Sequence, residues 1–113
     1  MPTKSKSRTT IDRRIPFPHP GETIREDYLK PLGLSANRLA IELRVPATRM
    51  TEIINGRRGI TADTALRLAR YFNTTAKFWL NLQTSYDLAV AAVASEEEIA
   101  KTVRPASAAN ARL

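Results

Sequence analysis

Residues 34–81 constrain the fold of this chain more than any other segment does. They hold three short amphipathic runs, LSANRLAIELR, VPATRMTEIIN and ITADTALRLARYF, with almost no connecting sequence between them. The second run meets the third through NGRRG at residues 55–59. Helices this short and this closely joined cannot lie antiparallel and must cross at steep angles. The segment therefore predicts a helix-turn-helix, in which the second helix is held outward from the domain.

Length and composition narrow the class of protein further. The 113 residues leave room for one domain of ordinary size. The sequence contains no cysteine, which excludes disulfides and thiolate metal sites. No apolar run approaches the ~20 residues of a membrane span, and the N-terminus lacks the apolar stretch of a signal peptide. We therefore expect a cytoplasmic protein that needs no cofactor and does not contact a membrane.

The net charge of +7 is concentrated at the N-terminus. Residues 1–14 set five basic side chains against the acidic Asp12, namely Lys4, Lys6, Arg8, Arg13 and Arg14. We expect this basic arm to be disordered, because nothing in it can bury a core. The arm can track DNA phosphates or a minor groove, wrap a protein partner, or only add solubility. Total charge by itself is therefore no argument for nucleic acid.

Local signals predict an all-α fold of five helices. The first helix is expected over residues 22–30, because three prolines before it favour extended backbone and Pro31 and Gly33 follow it. The third is expected over residues 46–54, where an Asn-Gly pair supplies a left-handed stop. The expected N-caps of the second, fourth and fifth helices are Ser35, Thr61 and Thr75.

The fifth helix is expected to end near Ala92. Ser95 and Glu98 then match a capping box, and the residues that follow are small and polar. We accordingly divide the chain into a disordered basic arm at 1–14, a helix-turn-helix domain at 15–93, and a C-terminal tail at 94–113 that is partly helical or disordered.

Three stretches resemble the HigA family of antitoxins, within the lambda-repressor-like (XRE) helix-turn-helix superfamily: HPGETIREDYLKPLGLS, INGRRGITADTALRLARYF and FWLNLQTSYDL. The resemblance covers residues 18–88. It implies a five-helix domain, a homodimer, binding to an operator in the protein's own promoter, and neutralisation of a small RNase toxin of the HigB or RelE type.

Two residues depart from the superfamily pattern. Arg44 replaces a turn glycine, at a cost of ~1 kcal/mol if the turn is left-handed, and Pro46 replaces a Ser or Thr cap.

The third helix is expected to face DNA with its outward residues. Arg49 can pair with guanine, and Thr48 or Ala47 can contact a thymine methyl. Glu52 can accept from a cytosine amine, or it can hold Arg49 in place from three residues away. The other expected DNA contacts are Thr51 on the same helix, Asn55, Arg57 and Arg58 in the following loop, and Ser35 and Asn37 at the start of the second helix. The alternative is that these residues form a solvated surface, with Asn55 only a cap.

Two neighbouring aromatic residues begin the fifth helix. Phe78 and Trp79 point about 100° apart, so they cannot both face the same wall of a core. We expect one to close the core and the other, with Tyr86 and Val90, to form a dimer or partner interface. The alternative is that the domain buries both rings against its own first helix.

Catalysis and metal binding have little support in the sequence. His19 is the only histidine, and no cysteine accompanies it. We therefore do not expect an enzyme. The resemblance to the HigA family implies an antitoxin that represses its own operon at an inverted-repeat operator and neutralises an RNase toxin. One alternative is a free-standing repressor without a toxin, and another is a protein-binding adaptor that has lost DNA binding. Arg49, Arg57 and Arg58 argue against the adaptor, whereas a small basic protein encoded beside this chain would exclude the free-standing repressor.

Overall fold

A computed structural model describes residues 15–107. This part of the chain forms five helices and no strands, which confirms the predicted all-α fold. The basic arm at 1–14 and the end of the tail at 108–113 lie outside the described residues. The five helices are α1 over residues 20–32, α2 Ala36–Leu43, α3 Ala47–Ile54, α4 Ala62–Phe72 and α5 Ala76–Thr102.

The start of α1 lies earlier than expected. Pro20 occupies the first turn, where its missing N–H costs no hydrogen bond. His19 caps this end, since its Nδ1 accepts from the backbone N–H of Gly21 at 2.9 Å. Gly21 lies against the end of α3, and a Cβ on it would come within 1.8 Å of the carbonyl oxygen of Ile53. The close crossing of α1 and α3 therefore requires glycine at this position.

The same helix continues through Pro31, which was expected to end it. Ile24–Leu29 is π-helical, and the N–H of Lys30 bonds to the carbonyl of Arg25, five residues earlier. This wider turn accommodates a proline that has no N–H to donate and would crowd the preceding turn of an α-helix. The helix ends at Gly33, whose φ of 66° is left-handed.

Helices α2 and α3 form the helix-turn-helix. Ser35 caps α2, because its Oγ accepts from the backbone N–H of Arg38 at 3.0 Å. Arg44 adopts a left-handed φ of 61° in the turn, so the condition under which replacing glycine costs ~1 kcal/mol is met. Pro46 precedes α3 without a capping hydrogen bond from its side chain. Ala40 is fully buried where the two helices approach each other.

The core is built around the indole ring of Trp79, which is 0% exposed. The ring of Tyr28 packs 5.2 Å from the indole, and Nε1 of Trp79 donates to Oγ1 of Thr74 at 2.7 Å. Trp79 is therefore the ring of the pair that closes the core, and it is excluded from the partner interface because its own domain covers it. Phe78 is the outward ring of the pair, with 38% of its surface exposed. The other fully covered apolar side chains are Ile24, Leu39, Met50, Ile53, Ala65 and Leu68.

Helix α5 runs ten residues past its expected end and stops at Thr102. Ser95 lies inside the helix, so its interpretation as a new N-cap is wrong. The segment after Ala92 contains good helix formers and no glycine or proline before Pro105, which favours continuation. The last buried side chain of α5 is Gln83, and its second half, residues 88–102, extends beyond the core. None of the described helices has the length and apolarity needed to cross a membrane.

Candidate nucleic-acid interface

Helix α3 has one buried face and one exposed face. Met50 and Ile53 are fully buried, whereas Ala47, Thr48 and Thr51 are exposed. The division follows from helical geometry, since residues three or four apart share a face. The three side chains expected to meet bases therefore lie on the outward surface of the helix-turn-helix. Their contacts with DNA stay predictions.

Arg49 lies at the edge of that outward face. Its Nη1 is 3.7 Å from Oδ2 of Asp63, in the first turn of α4. Asp63 also accepts from Arg67 Nε at 2.9 Å, and Arg67 donates to the carbonyl of Leu43 at the end of α2. Because Asp63 is exposed and shared between two arginines, its long contact with Arg49 is weak. Arg49 can therefore exchange this contact for a base or a phosphate.

Glu52 contacts a different arginine from the one expected. Its Oε1 accepts from Nε of Arg58 at 2.8 Å, while Arg49 is turned towards Asp63. The hypothesis that Glu52 holds Arg49 in place is therefore wrong. The ion pair instead ties α3 to the loop that follows it. In the described part of the chain the exposed guanidinium of Arg57 has no ion pair.

The arginine loop, residues 55–61, is fixed at both ends. The N–H of Arg57 bonds to the carbonyl of Glu52 at 2.8 Å, which closes the end of α3. Ile60 is buried, and its N–H donates to Oε1 of Gln83 on α5 at 2.7 Å. Two arginines are thus presented from a backbone that is anchored in the core. Such a loop is suited to phosphate binding.

The other three residues expected at DNA occupy different environments. Asn37 is exposed in the first turn of α2, where backbone N–H groups are unpaired by the helix. Ser35 is also exposed, and because its Oγ only accepts in the N-cap bond, its O–H can still donate to a phosphate. Asn55 is half-buried, and its backbone N–H closes α3 on the carbonyl of Thr51 at 3.0 Å. Ser35 and Asn37 are thus more accessible than Asn55.

His19 lies beneath the arginine loop. Its imidazole is 5% exposed and packs edge-to-face on Tyr86, with ring centroids 5.0 Å apart. Burial lowers the pKa of His19 below its usual range, and the smaller opposing effects come from the charge of Asp87 and a hydrogen bond with the backbone of Arg58. The ring is therefore neutral at neutral pH, which leaves Nδ1 able to accept from Gly21.

Sequence reasoning missed the residues that anchor this surface from outside the helix-turn-helix. Gln83 had a recognisable signal, because it lies four residues after Trp79 and thus on the buried face of α5. A polar side chain at a core position needs a hydrogen-bonding partner, which indicates a structural contact. Asp63 gave no such signal, since its carboxylate equally suits the start of any helix.

Within residues 15–107 no group of acidic and histidine side chains is placed to hold a metal ion.

Comparisons with known proteins agree with this geometry. A family model described as helix-turn-helix matches residues 26–79. Virulence-associated protein I of Dichelobacter nodosus is 60% identical over 77 residues, which cover 68% of this chain and 71% of the relative. Antitoxin HigA-1 of Vibrio cholerae is 36% identical over 86 residues, which cover 75% and 79% of the two chains.

A solved structure, described as Pseudomonas aeruginosa antitoxin HigA with the higBA promoter, has the same fold. It is 42% identical, superposes with a TM-score of 0.77, and the match covers 80% of this chain and 98% of that one. The names of these relatives describe antitoxins and a virulence-associated protein, not enzymes. The chain belongs to the HigA family of helix-turn-helix antitoxins.

Proposed function

We propose that this protein is a DNA-binding antitoxin that represses its own operon. The observation that carries the proposal is the outward face of α3, which continues into the arginine loop with the exposed Arg57. A helix presented in this way fits the major groove, and the arginines after it lie where the DNA backbone would pass. The related Pseudomonas HigA, described with the higBA promoter, supports the same role.

The roles of individual side chains follow from their positions. Arg49 reads a guanine once it leaves Asp63, and Thr48 with Ala47 contacts a thymine methyl. Arg57 and Arg58 bind phosphates without reading sequence. Ser35, Asn37, Thr51, Glu52 and Asn55 complete the contact surface.

The protein acts as a homodimer on an inverted repeat. Two recognition helices related by a twofold axis fit half-sites about one helical turn, ~34 Å, apart. Phe78, Tyr86 and Val90 contribute to the contact with the second subunit or with another partner. A protein that represses its own operon works in the cytoplasm, beside the chromosome.

Neutralisation of a small RNase toxin of the HigB or RelE type is the second half of the proposal. Its support is membership of the HigA family, whose named members here are antitoxins. The basic arm at 1–14 is the proposed extra toxin contact, because its composition suits a segment that wraps a partner and becomes ordered on binding. Deletion of the arm should then weaken toxin binding and leave dimerisation intact.

Co-expression with the neighbouring reading frame tests the antitoxin half. We expect the neighbour to arrest growth when expressed alone, and to be neutralised by and co-purify with this chain. A neighbour that is harmless or does not co-purify would contradict the antitoxin function and leave a free-standing repressor. A gel-shift assay with the upstream promoter tests DNA binding separately, with a scrambled promoter of the same length as the control.

A further inference from the structure

We propose that Gln83 is a positioning residue that holds the arginine loop in the shape needed to bind phosphate. The inference rests on the proposed DNA-binding function and assigns a part of it to α5, outside the helix-turn-helix. Gln83 is only 9% exposed and therefore acts through the loop backbone. It lies four residues after the central core residue Trp79, so its own position is fixed by the core.

Two contacts join the arginine loop to the Gln83 amide. The N–H of Ile60 donates to Oε1 at 2.7 Å. A Cβ built on Gly59 would lie 3.1 Å from Cδ of the same amide, so the loop backbone passes directly over it. Arg57 and Arg58 immediately precede these two residues. The direction in which their side chains leave the domain is therefore set by backbone that Gln83 holds.

Asp87 determines which way the amide faces. Nε2 of Gln83 donates to Oδ1 of Asp87 at 2.9 Å. An ionised carboxylate can only accept, so Nε2 must turn towards it and Oε1 towards Ile60. Both ends of the buried amide are satisfied in this orientation, whereas a flipped amide would place a donor against the N–H of Ile60. The chain of bonds from Asp87 through Gln83 to Ile60 thus has one stable arrangement.

A fixed loop binds phosphate better than a mobile one because less conformational freedom is lost on binding. The loop is held from α3 by the backbone bond between Arg57 and Glu52 and by the Glu52–Arg58 ion pair. His19 holds it from beneath through a hydrogen bond with the backbone of Arg58, and Gln83 holds it from α5. The ion pair is exposed and must loosen when Arg58 binds a phosphate. The buried contact with Gln83 uses no arginine side chain, so it can persist while Arg57 and Arg58 bind phosphate.

Gln83→Met tests the proposal, because methionine keeps the length of the side chain and removes both polar groups. We expect binding to DNA of any sequence to weaken about tenfold, and the slope of log affinity against log salt to fall by about one. Amide hydrogen exchange at Ile60 should speed up selectively. Asn81→Met is the matched control, since this exposed residue lies on the same helix and should change neither quantity. A folded Gln83→Met protein with the wild-type salt slope would overturn the inference.

An exchange of donor and acceptor gives a second test that does not depend on the methionine variant folding. Gln83→Glu alone places two carboxylates together and should weaken binding. Gln83→Glu combined with Asp87→Asn restores the bond with its direction reversed, retains an acceptor for Ile60 and leaves the net charge unchanged. We expect the double variant to recover the wild-type salt slope, and a failure to recover would contradict a positioning role.

If the wild-type protein itself does not bind its promoter, the proposed function fails. If wild type and all variants bind equally, only the role of Gln83 fails.

Discussion

The arginine loop and the second half of α5 are both exposed, but their exposed chemistry differs. The loop presents charge from a backbone anchored by Gln83, and one of its arginines is paired with Glu52. The second half of α5 presents apolar groups, with Leu88 67% and Ile99 52% exposed, and none of its described side chains is buried. Pro16 and Phe17, which precede α1, lie beside this part of α5. Phe17 and Leu88 line a shallow groove of about 550 Å³ between the two segments.

This difference indicates two kinds of partner. A rigid cationic surface suits a polyanion, because charge-assisted bonds form without reordering the protein. An apolar helix face that stays uncovered in one subunit suits a protein surface, since its burial removes apolar area from water at about 25 cal/mol per Å².

Leu88→Glu should break self-association. A carboxylate on the exposed apolar face of α5 would be desolvated in the dimer, and the loss of paired recognition helices should lower operator affinity by at least ~100-fold. Light scattering with size-exclusion chromatography measures the mass. Arg70→Glu, which adds a carboxylate at an exposed position of α4, should remain dimeric. A Leu88→Glu protein with wild-type mass and operator affinity would mean that the second half of α5 is not the self-association surface.

Arg49→Ala should reduce binding to the specific operator by ~1–3 kcal/mol and relax preference at one base pair. The reason is that the protein no longer pairs with one base, while the phosphate-binding arginines of the loop stay intact. Competition binding with a panel of single-base operator variants measures both effects. Arg70→Ala, at an exposed position on α4, is the control for removal of one positive charge. Unchanged specific affinity would show that Arg49 does not read a base.

Arg57→Ala should weaken binding to all DNA sequences by a similar factor. The salt slope should fall by about one for each phosphate that the variant no longer binds in a half-site. Arg58→Ala should have a smaller effect, because Arg58 must first give up its ion pair with Glu52. Titrations at several salt concentrations on operator and random DNA separate the outcomes. A weakening confined to the operator would assign base reading to the loop and contradict the division between the loop and α3.

Acid should destabilise the protein through His19. Burial lowers the pKa of His19 in the folded state, so the unfolded chain takes up the proton first, near the usual value of about 6.5. The contribution of neutral His19 to stability is therefore fully present above pH ~6.5, and it is lost as the pH falls from there to the folded pKa. Urea unfolding across this range measures the effect. His19→Asn keeps a side-chain acceptor for the N-cap bond and should remove this part of the pH dependence. His19 is the only histidine in the sequence, so no other imidazole can contribute it. Equal pH dependence in both proteins would contradict the assignment.

Features decided within one or two helical turns were predictable from the sequence. Ser35, Thr61 and Thr75 each accept from a backbone N–H three residues later, as expected of caps. The left-handed turn at Arg44 and the buried stripe of α3 are equally local. Each depends only on neighbouring residues along the chain, so the pattern of side chains suffices to place it. The helix-turn-helix and its outward residues could thus be placed from the sequence.

Features decided by contacts between distant segments were settled only in the folded structure. The bond between Ile60 and Gln83 joins residues 23 apart, and the bond between Arg67 and the carbonyl of Leu43 joins residues 24 apart. The choice of Arg58 as the partner of Glu52 likewise depends on how the loop turns back after α3. A charged or amide side chain can satisfy its hydrogen bonds with many partners of similar energy. The packing of the helices and the loop against one another therefore selects among these partners, and the sequence alone determines only that such partners are available.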